Sequence, residues 1–342
     1  MRRFLSLVAA CSLLSLGTPA LADAPEFPDF TAMEAGPEGV VVDNVGNVYV
    51  SVGLDGYTEI RRFSPTGEPT TFATIATGPG QIPAGLAISP NGKHVFVAIG
   101  FTGVFDVDMN GTATLVPGTD AIMLPNSLAF DHRGNLYITE SFSFDAGDGL
   151  DFYPNCVDPF GGYFGRGGIW VVPKGGEAQL LLRDDLLTGL CVPNPIPYPV
   201  GANGLAYDHG TLVVANTEKA LVLEVPVRRD GTLGAPTVVA HVDGVGEFGP
   251  WLLDGLALDV HGDIYATAIT GQAIVKVARD GSTTETIATV DDDLDFPASI
   301  AFGTGKGERQ SAFVTNGSLA GPGRAGPGVA KIHIGTPGMP LP

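Results

Sequence analysis

The chain has 342 residues, with 44% hydrophobic positions, 48 glycines, 27 prolines and a formal net charge of −19. Only 18 basic side chains stand against 37 acidic ones, which excludes a nucleic-acid partner. The acidic balance fits a soluble exported protein and favours a bound cation, although charge alone does not locate one.

Met1-Arg2-Arg3, an apolar stretch from Phe4 to Leu16 and Ala20-Leu21-Ala22 before Asp23 have the layout of a cleavable secretory signal. Residues 1–22 are therefore expected to be removed, leaving 23–342 as a secreted or periplasmic protein. The stretch is shorter than the roughly 20 apolar residues a membrane span needs, and serines interrupt it, so no membrane span is expected. Loss of the signal takes Cys11 with it. Cys156 and Cys191 remain, an even count in a compartment that permits disulfides, and are expected to pair.

From residue 38 onward one phrase recurs, a polar or small pair running into a short strand, a turn and a second strand. The copies are Glu38–Asp43 with Asn47–Ser51, Ala84–Ser89 with His94–Ala98, and Asn126–Asp131 with Asn135–Thr139. Three more are Asn203–Asp208 with Thr211–Ala215, Asp254–Asp259 with Asp263–Thr267, and Ala298–Gly303 with Ser311–Thr315. They lie about 40 to 50 residues apart, except for about 77 between Asn126 and Asn203. Each is followed by two further β-type runs, such as 273–278 and 285–289, so each unit has four strands.

Four-stranded units repeated six times predict an all-β fold, a six-bladed β-propeller with antiparallel blades. The long interval holds only four strand-like runs, so its surplus reads as a loop over 142–167. The last unit has three strands, and Glu26–Thr31 at the N-terminus is expected to supply the fourth and close the ring.

In a propeller the first strand of each blade lines the central tunnel, so the residues that enter those strands converge at one mouth. Here they are Glu38, Ala84, Asn126, Asn203, Asp254 and Ala298. Alanine fits at two of the six, so bulk is not what the position requires. Glu38, Asn126, Asn203 and Asp254 form a candidate oxygen cage for one Ca²⁺-type ion, with Mg²⁺ or Mn²⁺ as alternatives, because carboxylate and amide oxygens are hard donors. Asn and Asp also cap turns for local reasons, a reading that weakens when four equivalent positions share it.

His132, His209 and His261 fall in the turns at the opposite mouth, and His94 begins a strand beside them. His241 lies near the outer strand leading into blade five, where it could approach the cage face. No Ser-His-Asp or Cys-His triad emerges. Both cysteine-bearing loops belong to the cage face, and the first carries Phe142, Phe144, Phe152, Tyr153, Phe160, Tyr163 and Phe164. These aromatics read equally as a rim for a partly apolar substrate and as a loop packed on itself.

On these residues the mature chain resembles the senescence-marker-protein and gluconolactonase family, related to diisopropyl-fluorophosphatase and the paraoxonases. The resemblance is carried by Glu38-Gly39, Asn203-Gly204-Leu205-Ala206 and Asp254-Gly255-Leu256-Ala257 with Asp263-Ile264-Tyr265, which look like that family's metal-binding strand entries, and by Asn126 as the fourth. It implies a metal-dependent hydrolase acting on a lactone, ester or phosphoester-like small molecule, with Asp254 or Glu38 as the catalytic carboxylate, in a monomer. Sugar-lactonases of the family place Arg two residues before the Asn and Asp after it, where this chain has Leu124 and Ser127. The rival expectations are a non-catalytic binding propeller with a structural ion, and a metal-free propeller resembling strictosidine synthase.

Overall fold

The computed structural model describes residues 26–143, 152–157, 163–190, 199–246, 249–318 and 324–341; at 152–157 and 163 the description is confined to the backbone. Residues 1–25, Cys191 and the side chain of Cys156 fall outside it, and with them the expected signal and disulfide.

Six antiparallel four-stranded sheets follow one another round a ring. Blade one is Pro37–Val42, Val48–Leu54, Tyr57–Phe63 and Pro69–Ala76, and blade two is Ile82–Ile88, His94–Gly100, Gly103–Asp108 and Ala113–Leu115. Blade three is Pro125–Phe130, Leu136–Glu140, Gly168–Val172 and Gln179–Arg183; blade four is Ala202–Asp208, Thr211–Asn216, Leu221–Pro226 and Thr237–His241. Blade five is Leu253–Leu258, Ile264–Ala268, Ala273–Val277 and Thr284–Ala288. Blade six takes Pro297–Phe302, Ser311–Asn316 and Gly328–His333 from the C-terminal end and Phe30–Ala32 from the N-terminal end.

The closing strand is shorter and later than Glu26–Thr31. Pro28 has no N–H to give a ladder, and Phe27, 1% exposed, turns inward against Phe313 at 4.9 Å and Phe63 at 6.1 Å between ring centroids. The chain therefore fills the seam between blades six and one before it begins to pair. The surplus in blade three holds a small hairpin, Phe152–Val157 against Tyr163–Gly165, and a second hairpin, Val245–Gly246 against Gly249–Pro250, precedes blade five.

The hydrophobic core lies between blades. One cluster joins Val213, Ala215 and Val222 of blade four to Leu256, Ile264 and Val275 of blade five, and another joins Ile60 and Tyr49 of blade one to Leu86 and Val97 of blade two. Alternating apolar residues serve both faces of each sheet, so every blade is buried on two sides and only the ring as a whole is stable. The turns after the inner strands are fixed locally. Asp43, Asp131 and Asp259 each accept two backbone N–H bonds at 2.8–3.0 Å from residues two and four positions on.

Candidate metal centre

Each inner strand breaks register at its entry. Pairing steps from Pro37↔Val52 to Val40↔Val50, from Leu253↔Ala268 to Leu256↔Ala266, and likewise in the other four blades. Two residues thus face one, a bulge that re-aims the side chain it carries. The bulged pairs are Glu38-Gly39, Ala84-Gly85, Asn126-Ser127, Asn203-Gly204, Asp254-Gly255 and Ala298-Ser299. The second member is small because the next inner strand is close: a Cβ on Gly39 would stand 2.3 Å from the Ala84 carbonyl oxygen, and one on Gly204 2.4 Å from that of Asp254.

The residue opposite each bulge is Ser51, Ala98, Thr139, Ala215, Thr267 or Thr315, and the hydroxyls among them latch neighbouring blades. Ser51 Oγ accepts the Gly39 N–H at 2.9 Å and donates to the Ala84 carbonyl at 2.7 Å. Thr139 Oγ1 accepts the Ser127 N–H at 2.9 Å and donates to the Asn203 carbonyl at 2.6 Å. Thr267 donates to the Ala298 carbonyl at 2.8 Å, and Thr315 accepts the Ser299 N–H at 2.9 Å and donates to the Glu38 carbonyl. The backbones of Glu38 and Asn203 are therefore held from the preceding blade. These hydroxyls sit at the last position of the repeated phrase, where Ser, Thr and Ala alternate; that alternation was their only trace in the sequence.

The structure sets the Asn203 side chain against Asp254 and puts Glu38 within reach of the Asp254 charge. Asp254 and Asn203 are 7% and 4% exposed, and Glu38 is half-buried with its Oε2 closed off from solvent and without any hydrogen-bond partner. Burial, then the charge of Asp254, pushes the Glu38 carboxyl well above the usual carboxylate range. Burial pushes Asp254 up to about 8, opposed by a hydrogen bond from the Asn203 side chain. Asn203 Nδ2 also donates to Thr217 Oγ1 at 3.0 Å. Asn126, at the equivalent bulge of blade three, donates from Nδ2 to Ser141 Oγ at 3.1 Å, and Ser141 donates in turn to the Ala202 carbonyl at 2.8 Å. Both amide nitrogens are engaged, and among the described residues no donor occupies either amide oxygen.

This donor set fits a hard divalent cation. Two carboxyls lie within reach of each other's charge, one with an orphaned oxygen, and two amide oxygens have no donor among the described residues. Among the described residues no group of three or more His, Cys, Asp or Glu assembles, so an ion here would draw on the amide oxygens of Asn126 and Asn203 besides the two carboxyls.

Below the ring the tunnel widens into a cavity of about 380 Å³ lined by small inner-strand residues, Val41, Ala87, Ala129, Ala206, Ala257 and Ala301. Gly338–Leu341 lines its far end, with Gly338 bridged to Asp259 and Met339 N–H donating to the Leu258 carbonyl at 2.8 Å.

Around the mouth, Phe142 and Phe164 stack edge to face at 4.9 Å and bury Leu124 in a small apolar cluster with Ile82 and Met123, so these two aromatics tie the loop to the chain between blades two and three. Phe144 and Phe160 lie outside the described residues, as do the side chains of Phe152, Tyr153 and Tyr163. Glu140, 1% exposed and unread in the sequence, anchors that loop by accepting from Met123 N–H at 2.9 Å, Trp170 Nε1 at 2.7 Å and Arg183 Nη2 at 2.8 Å. His132, His209 and His261 occupy the inter-strand turns away from the cage. His94 pairs with Asp106 at 2.7 Å and His241 with Asp243 at 3.2 Å.

Fold and ring together define the class: a six-bladed β-propeller with a buried oxygen-donor cluster at one tunnel mouth. Residues 167–318 match the family model of the SMP-30/gluconolactonase/LRE-like region. A calcium-binding regucalcin from Agrobacterium tumefaciens is 18% identical, with a TM-score of 0.64 over 94% of this chain and 99% of that one. A gluconolactonase from Xanthomonas campestris is 20% identical, with a TM-score of 0.61 over 89% and 86%. The structure of a nidogen/laminin complex matches with a TM-score of 0.53 at 17% identity, covering 79% of this chain and 86% of that one. At these identities the likeness is one of fold. No curated protein matches the chain in sequence. Among the described residues no helix is long and apolar enough to cross a membrane.

Proposed function

We propose that the protein is an exported, divalent-metal-dependent hydrolase of lactones, esters or phosphoester-like small molecules. Glu38, Asn126, Asn203 and Asp254 would hold one Ca²⁺-type ion, whose chemistry when bound is to polarise the substrate's carbonyl or phosphoryl oxygen. The observation that carries the reading is the closed-off, partnerless Oε2 of Glu38 near the buried carboxyl of Asp254. Two carboxyls held within reach of each other's charge, with no cation beside them among the described residues, leave a place for one.

Asp254 is the carboxylate assigned to the chemistry. Held by the Asn203 amide, it takes the proton of the attacking water at its carboxylate oxygen and returns it to the leaving alkoxide, so that a lactone opens to its hydroxy acid. Glu38, Asn126 and Asn203 position. The surrounding walls exclude bulk water and so strengthen every charge interaction at the mouth.

Asp254→Asn should lose at least about 100-fold in kcat on every lactone or ester the wild type opens, with an unchanged near-ultraviolet circular dichroism spectrum. Retained turnover would remove Asp254 from the role. A chelator that abolishes turnover while the fold survives supports catalysis. A chelator that only lowers Tm, with no turnover on any lactone, ester or organophosphate, leaves a binding propeller with a structural ion. Export rests on the layout of residues 1–22, and N-terminal sequencing of protein recovered outside the cytoplasm tests it.

A further inference from the structure

A second cavity, of about 450 Å³, opens on the cage face between blades four and five. Two of its walls are joined to the cage through the chain. One is the turn after Asn216, whose Thr217 holds the Asn203 side chain, and the other is Pro250-Trp251, three residues before Asp254.

Trp251 is fixed in place there. Thr270 Oγ1 accepts the Leu252 N–H at 3.0 Å and donates to the Pro250 carbonyl at 2.6 Å, clamping the backbone on both sides of Trp251, and the Trp251 N–H donates to the Gly244 carbonyl at 3.0 Å. The indole lies in a slot that two glycines make possible. A Cβ on Gly244 would stand 2.2 Å from the ring and one on Gly271 2.5 Å from Nε1. The ring nevertheless stays partly exposed, facing a cavity walled also by Ala220, Leu221 and Val242.

The charged groups at the cavity rim have partners, two of them on the rim itself. Lys219 Nζ donates to the Asp185 carbonyl, His241 pairs with Asp243, and Glu218 accepts the Leu190 N–H. Inside that charged rim the cavity offers the indole of Trp251 and the aliphatic surface of Ala220, Leu221 and Val242. On the blade-three side of the mouth Leu124 is buried with Phe142 and Phe164, so position 124 presents an apolar side chain there.

We infer that the Trp251 cavity is the subsite for a flat apolar arm, an aryl or alkyl-substituted ring, on the substrate that reaches the cage. This rests on the hydrolase reading for the reacting end and departs from a polyhydroxylated sugar lactone. An immobilised aromatic platform costs little entropy on binding, and stacking adds to the area it buries.

Two measurements test it. The chain has two tryptophans, so in Trp170→Phe the emission comes from Trp251 alone. Titrating the Ca²⁺-loaded Trp170→Phe protein with chroman, a ring ether that cannot be hydrolysed, should give a saturable change in that emission, and tetrahydropyran, which lacks the aryl arm, should not. In turnover, dihydrocoumarin and δ-valerolactone differ by the same fused ring. Trp251→Ala should lower the ratio of their kcat/KM values about tenfold or more, and Trp251→Phe should restore most of it. Silent Trp251 emission, or equal losses on both lactones, overturns the subsite. A response to chroman with no lactone opened by the wild type keeps the subsite and overturns the hydrolase. The titration needs no Trp251 variant, so it holds where Trp251→Ala fails to fold.

Discussion

Two carboxyls within reach of each other's charge make the ion-free protein sensitive to pH in a direction opposite to an ordinary salt-bridged acid. Asp254 titrates near 8 in the fold against 3.8 when free, and Glu38 is raised as well. The folded state therefore holds protons that the unfolded chain releases. Their contribution to stability is complete below the ordinary carboxylate range and is lost as pH climbs through about 8. In chelator, Tm should fall between pH 5 and pH 8, and saturating Ca²⁺ should flatten the fall. Asp254→Asn should raise Tm in chelator at pH 8 and erase the Ca²⁺ response; a flat profile in the wild type would contradict the buried pair. Alignment of six copies made the ring residues legible, since equivalence exposes a Glu or Asp where Ala also fits. The latch hydroxyls stayed hidden because Ser or Thr in a strand looks like ordinary β propensity until a bulge sets it opposite the ring. Thr139→Val removes a donor to the Asn203 carbonyl and strands the Ser127 N–H, so urea unfolding should show a loss of about 1–3 kcal/mol. Calcium titration should show weaker binding alongside it.

Strand entries are spaced by contact between backbones, which makes the bulge glycines sensitive. Gly204→Ala would drive a methyl group into the Asp254 carbonyl and part the inner strands of blades four and five, costing about 1–3 kcal/mol and weakening the cation. Gly305→Ala, whose nearest neighbour is 3.6 Å away, should be neutral in the same melts. The closing strand shows where reading by element runs out. Three strands in the last blade announced a missing fourth, but pattern alone could not tell that Phe27 is core rather than ladder. Phe27→Ala should destabilise by about 3–5 kcal/mol, as a buried aromatic between two blades does, and a shift typical of a surface residue would show the seam to be loose.

Around the whole ring the four-strand period was legible from end to end, because each blade repeats the same burial on both faces. The hairpin inside blade three was not: Phe152–Val157 is interrupted by Pro154 and has no counterpart in the other blades. A bound ion would cross-brace the ring through blades one, three, four and five, so stabilisation by Ca²⁺ should grow with the logarithm of its concentration, reaching about 2.7 kcal/mol at a hundred times Kd. A Tm indifferent to Ca²⁺ and to chelator would mean that the four side chains grip nothing. The segment Gly338–Leu341 lies against blade five at the end of the axial cavity away from the cage. A bead, fusion partner or surface linker attached beyond Leu341 would therefore hang from that end and leave the cage mouth clear.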